Sequence, residues 1–127
     1  MADTTEVTKD IYFKICDFLE EMYGDLVKVE DYPLMWDKVL QCISLGNYIL
    51  TLDSDDNILT YQGWFIDDDT IWIEDNCTKD KKNGVKNLIN HLKIRYRNKD
   101  FKYVKYYHRC HNLVTWNIER YTKHESL

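Results

Sequence analysis

Lys79, Lys81 and Lys82 crowd the run 78–84 (TKDKKNG), and an apolar stripe of helical period begins at Val85, immediately after Gly84. The first turn of a helix leaves backbone N–H groups without intrahelical partners and carries the positive end of the helix dipole, so it attracts anions. Lysines beside it add charge, and a glycine lets backbone come close to a ligand. Residues 81–86 are therefore predicted to hold a phosphate-bearing ligand. An ordinary Asn83-Gly84 turn with solvated lysines fits the same residues.

Other reactive residue types are present without the spacing their chemistry needs. His108, Cys110 and His111, with Cys77 upstream, are zinc-ligand types. They lack the paired spacing of a zinc site, and neighbours such as Cys110 and His111 point to opposite faces of a strand. No metal is expected. Cys16 and Cys42 fall at apolar helix positions and read as small core residues. There is no GxSxG elbow, HExxH helix, Walker loop or EF-hand. The run 101–109 (FKYVKYYHR) interleaves aromatic and basic residues, as single-strand nucleic-acid binders do. On a strand, however, Lys102, Val104, Tyr106 and His108 take one face and Tyr103, Lys105 and Tyr107 the other. The chain is acidic overall, so nucleic acid is not the expected partner.

The elements that must carry these residues follow from periodicity. Ile11, Ile15, Phe18, Leu19 and Met22 form one helical stripe. Asp3 with Glu6 reads as its capping box, with Thr4 or Thr5 as alternative caps, and Gly24 as its stop. A linker ends in Asp31-Tyr32-Pro33, and Leu34, Met35, Trp36, Val39, Leu40 and Ile43 mark a second helix closed by Gly46. The period then changes to two. Strands are predicted at 48–52, 58–66 (broken or bulged at Gly63) and 70–76, joined by short acidic turns as a meander. Val85, Leu88, Ile89, Leu92 and Tyr96 give a third helix, 101–108 a fourth strand, and Val114, Ile118 and Tyr121 a last short helix capped by Asn112. The predicted order is α-α-β-β-β-α-β-α, with a right-handed parallel crossover at 70–108.

Composition sets the outer limits. The chain has 127 residues, 44% hydrophobic and 31% charged, with four glycines and one proline. That describes one globular domain, neither disordered nor a turn-rich all-β fold. No apolar run approaches the ~20 residues that span a bilayer, and the polar, acidic start (MADTTEVTKD) resembles no targeting segment. An intracellular location is expected. The net charge of −5 conceals an asymmetry: residues 1–76 carry −14 and residues 77–127 carry +9. The basic part suits phosphates, and the acidic part (Asp53, Asp55, Asp56, Asp67, Asp68, Asp69) suits a cationic substrate; the two also simply attract each other.

From about Val29 to Tyr121 the chain resembles the GNAT superfamily of acyl-CoA-dependent N-acyltransferases, particularly its small phage-encoded members. The resemblance is carried by Asp31-Tyr32-Pro33 leading into a Trp-bearing helix, the three meandering strands, the loop-to-helix junction, Leu88-Ile89, the next strand and the Asn112-capped last helix. It implies a single GNAT-like domain over residues 1–127, α/β, with a mixed, mostly antiparallel sheet flanked by helices. In that family a Q/R-x-x-G-x-G/A loop cradles the pyrophosphate of acetyl-CoA. Lys81 takes its first place, Gly84 its first glycine and Lys86, here not small, its last position.

The implied cofactor-binding set is Ile73, Lys81, Lys82, Asn83, Gly84, Val85, Lys86 and Asn112, with acetyl-CoA as co-substrate. It would lie where strands 70–76 and 101–108 splay, its pantetheine bonded to backbone near residues 73–75. An amine would attack the thioester directly. A free lysine amine has a pKa of ~10.4 and must lose a proton first, which Glu74 or Asp75 would accept. Tyr121 would protonate the leaving thiolate. On pattern alone the two carboxylates also fit a solvated strand end facing basic residues. The acceptor would be a small-molecule amine or a protein lysine or N-terminus, in the cytoplasm of a phage host or in a virion. The Lys, Asn, Asp, Ile and Tyr bias suits an AT-rich genome. A second expectation, from another class, is a non-catalytic GNAT-like binding module, a virion component or an inhibitor of a host protein, with Trp64, Trp72 and Trp116 as interface anchors.

Overall fold

The first helix starts at Thr8. In a computed structural model that describes residues 5–79, 84–108 and 112–117, Thr8 is extended and its hydroxyl accepts from the Ile11 amide at 3.3 Å. That is an N-cap. Of the expected caps, Asp3 and Thr4 lie outside the described residues, Glu6 precedes the helix, and the Thr5 amide donates to the Leu50 carbonyl instead. Helix α1 (Lys9–Tyr23) buries Ile15, Cys16, Phe18 and Leu19. Two 3-10 turns, Gly24–Leu26 and Val29–Asp31, occupy the expected linker. Helix α2 (Tyr32–Leu45) begins with Pro33 in its first turn. It stops at Gly46, whose left-handed backbone (φ 72°) lets its N–H reach the Cys42 and Ile43 carbonyls.

The meander follows as β1 (Tyr48–Leu52), β2 (Ile58–Asp67) and β3 (Thr70–Thr78), paired antiparallel. The first turn is built by Asp53, whose carboxylate accepts from the Asp55 and Asn57 amides at 2.8 and 2.9 Å. Helix α3 (Gly84–Arg95) then crosses over to β4 (Tyr103–His108), parallel to β3, and β5 (Asn112–Asn117) returns antiparallel to β4. The result is an α/β fold with one five-stranded mixed sheet in the order β1-β2-β3-β4-β5.

Each face of the sheet has its own core. Leu88, Ile89 and Leu92 of α3 pack with Ile49, Trp64, Ile71, Ile73 and Val104. On the opposite face Ile15, Phe18 and Leu19 of α1 and Val39 of α2 pack with Leu50, Ile58, Tyr61 and Cys77. Trp64 is fully buried, and its indole N–H donates to the Tyr96 hydroxyl at 3.0 Å. It therefore cannot serve as an interface anchor.

One element differs in kind from expectation. The helix predicted after Asn112 is the strand β5, so the observed order ends β-β. Val114 and Trp116 are half-buried while Leu113 and Thr115 are exposed, the period of two of a strand. Three of the four residues from Leu113 to Trp116 are β-branched or aromatic, which favours that outcome. Ile118 and Tyr121 lie outside the described residues. Among the described residues no helix is long and apolar enough to cross a membrane.

Candidate functional site

Strands β3 and β4 pair over only three positions, Thr70–Tyr103, Ile71–Val104 and Trp72–Lys105. Beyond them the strands part. The other edge of β3 stays paired to β2 as far as Thr78. The edge facing β4 is therefore bare from Ile73 onward, and among the described residues no strand covers it. A strand edge of this kind presents alternating N–H and C=O groups to whatever fills the gap.

What fills it is an open cleft of about 890 Å³. Residues from Trp72 to Thr78 supply one wall and Tyr106 and Tyr107 of β4 another. Gly84 and Val85, at the start of α3, close one end. Met22 and Tyr23 from the end of α1, Leu26 of the 3-10 turn after it, and Lys38 and Gln41 of α2 close the other. Tyr107 stacks on Trp72 with ring centres 6.3 Å apart, and Lys105 lies over the Trp72 ring at 5.5 Å.

The floor of the cleft is irregular for a definite reason. Gly63 of β2 opposes Asp75 and the next residue, Trp64, opposes Ile73, so Glu74 has no partner. It is the extra residue of a β-bulge. The bulge falls at the Gly63 position expected from sequence, although the inserted residue is on the neighbouring strand. It also reverses which side chains face which core. Ile71 and Ile73 join the α3 core, whereas Cys77 joins the α1 core and Asp75 meets Tyr23 of α1. Gly63 is needed here, since a Cβ would lie 2.9 Å from the Tyr61 hydroxyl and 3.3 Å from the Cys42 sulfur.

The two candidate carboxylates consequently have different surroundings. Glu74 lines the cleft and pairs with Lys38, Nζ to Oε1 3.2 Å. Asp75 turns away from it and is 3% exposed. The Tyr23 hydroxyl donates to its Oδ1 at 2.7 Å. Burial pushes the Asp75 carboxyl up to about 7, against the opposing pull of the Tyr23 hydrogen bond. Asp75 is therefore not solvated, whereas Glu74 is part-exposed and faces a basic residue. Burial and the neighbouring Asp75 also raise the Tyr23 phenol well above its ordinary value. Burial raises the thiols of Cys16 and Cys42, so neither is an activated nucleophile.

Of the remaining residues expected at a site, Ile73, Gly84 and Val85 line the cleft. Lys86 is exposed and is not part of its wall, so its length does not crowd the opening. Gly84 has a structural duty of its own: a Cβ there would meet the Thr78 methyl at 2.9 Å. Gln62 fixes the same junction, donating from Nε2 to Asn76 Oδ1 at 2.7 Å and to the Gly84 carbonyl at 3.2 Å. Asn112 opens β5, its backbone in register with His108. Lys81, Lys82, Asn83 and Tyr121 lie outside the described residues.

Tyr23, Lys38, Gln41, Tyr106 and Tyr107 are cleft residues that sequence reading did not single out. A signal existed for two of them. Lys38 and Gln41 are three apart, and so on one face of a mostly apolar helix. Lys38 is also one of only four basic residues among residues 1–76. No protein-family model, curated protein or solved structure matches the chain.

Proposed function

We propose that this chain is an acyltransferase of the GNAT kind, moving an acyl group from a coenzyme A thioester to an amine within the β3–β4 cleft. The observation that carries the proposal is the bare β3 edge beside an open cleft, with a carboxylate raised on a bulge in its floor. The dimensions are compatible with a long, flexible ligand. Thr78, beside the start of α3, is four residues from Glu74, roughly 13 Å along an extended strand. A diphosphate would meet the first amides of α3 at Gly84 and Val85, next to the sequence-adjacent Lys81 and Lys82. The backbone of residues 73–75 would accept the pantetheine amides.

When bound, the thioester supplies an activated carbonyl and a thiolate leaving group. Glu74 would take the proton of the incoming ammonium, because its carboxylate faces the cleft. Asp75 is not in the cleft wall and is hydrogen-bonded by Tyr23, which is, so it would influence that step without touching the amine. Phe65, Trp72 and Tyr107 give the acceptor end an apolar, water-excluding surface.

Titration calorimetry with acetyl-CoA tests this directly. One site with micromolar affinity is expected, and Glu74→Gln should retain that binding while losing about 100-fold in transfer to a primary amine. No binding heat and no thermal shift would rule the transferase out. A non-catalytic binding module would then remain, and one observation favours it: Leu26, Val29 and Leu34 are exposed together around the two 3-10 turns.

A further inference from the structure

The cleft contains an amine of its own. Lys38 Nζ lies 3.2 Å from Glu74 Oε1, and Lys38 is the one lysine among the described residues that lines the cleft. We infer that Lys38 is an acyl acceptor, modified by the coenzyme A thioester that the cleft binds. The inference rests on the proposed transferase reading and adds to it a modification site on the chain itself.

The geometry supplies what the reaction needs. An ammonium has no free electron pair, so Lys38 must transfer a proton before it attacks, and the Glu74 carboxylate is already in hydrogen-bond reach of it. The N–C bond forms between Nζ and the acyl carbon, the C–S bond breaks, and coenzyme A leaves as its thiolate. Of the two protons that the ammonium gives up on becoming an amide, Glu74 relays one to that thiolate and the other goes to solvent. The products are an acyl-lysine and free coenzyme A thiol, with no oxidant or further reactant involved.

The exposure of the pair matters as much as its distance. Lys38 and Glu74 are 43% and 28% exposed, so the ion pair is neither locked in the core nor worth much to stability. Lys38 can leave Glu74 and swing toward the bare β3 edge at small cost. Acylation removes its charge and leaves the Glu74 carboxylate facing the cleft without its cation. Lys38 also opposes the upward shift of Asp75, so losing that charge strengthens the neutral form of the buried acid. Modification therefore changes the electrostatics of both carboxylates at once.

The experiment is to incubate the full-length chain with acetyl-CoA, follow intact mass, and map the modified peptide, while titrating coenzyme A alone in parallel. The expected result is one acetyl group at Lys38, absent in Lys38→Arg and formed about 100-fold more slowly in Glu74→Gln, both variants keeping the wild-type circular dichroism spectrum. Acetylation spread over surface lysines at rates that Glu74→Gln leaves unchanged would overturn the inference. If coenzyme A binds and Lys38 stays unmodified, the self-acylation falls while transfer to an external amine stands. If coenzyme A does not bind, both fall.

Discussion

Asp75 is an acid placed where water cannot solvate its charge, and its ionisation is thereby tied to folding. Its carboxyl is raised from 3.8 to about 7, so the folded state binds its proton more tightly than the unfolded chain does. The stability this provides is complete below pH ~4 and is lost as pH rises through about 7; the full difference is ~4 kcal/mol. His91 works in the opposite sense. Its ring packs against Trp64, its Nε2 is buried without a hydrogen-bond partner among the described residues, and burial holds it below the ordinary histidine value. It costs stability as pH falls below ~6.5. The two overlap between pH 4 and 6.5, so the window from 6.5 to 8 isolates Asp75. Urea denaturation should show the wild type losing stability across that window and Asp75→Asn losing none. Tyr23→Phe should cost ~1–3 kcal/mol, and more at pH 8 than at pH 5, because the ionised carboxylate then loses its donor.

At the scale of elements, the start of α3 is held by contact with β3. Gly84→Ala would press a methyl against the Thr78 Cγ2, which cannot rotate freely because the Thr78 hydroxyl is hydrogen-bonded to Thr60 at 2.8 Å. A loss of ~1–3 kcal/mol is expected. Thr78→Ser, which removes that methyl and keeps the hydroxyl, should restore most of it in the double variant; a thermal-melt double-mutant cycle measures the coupling. The same contact explains what the sequence could and could not reveal. Pro33, Gly46 and the stripe from Val85 to Leu92 act through local backbone geometry and period, and α2, the meander and α3 were legible from them. The β5 segment was not. Asn112 is a good cap and Val114, Ile118 and Tyr121 fit helical spacing, while six residues are too few to separate a period of 2 from one of 3.6. The Glu74–Lys38 pair joins residues 36 positions apart through a bulge, and no local pattern encodes that.

For the molecule as a whole, the pairing of the sheet divides it into parts of unequal firmness. Strands β2 and β3 are in register over eight positions, β3 and β4 over three. The α3–β4–β5 part is therefore joined to the rest largely through the core around Trp64, Leu88, Ile89 and Leu92. Hydrogen exchange should open β5 and the far end of β4 first, with β2 and β3 last. Leu92→Ala should cost ~2–5 kcal/mol and widen that gap. On the proposed transferase reading, acetyl-CoA would bridge β3 and β4 and should narrow it, which a mass-spectrometric exchange experiment would resolve peptide by peptide.

The half-step at Glu74 works as a dislocation does in a crystal: the rows on either side are each perfect but are offset from one another. Removing that residue would bring the rows back into line without moving anything downstream to the other face, because Ile73 already opposes Trp64 and Asp75 already opposes Gly63. Asp75 and Cys77 would stay with the tyrosines and thiols above, and Asn76 and Thr78 with the leucine-lined underside. Any replacement of Glu74 leaves the offset intact, so shortening the chain by this one residue separates what the step in the strand does for the cleft from what the carboxylate does.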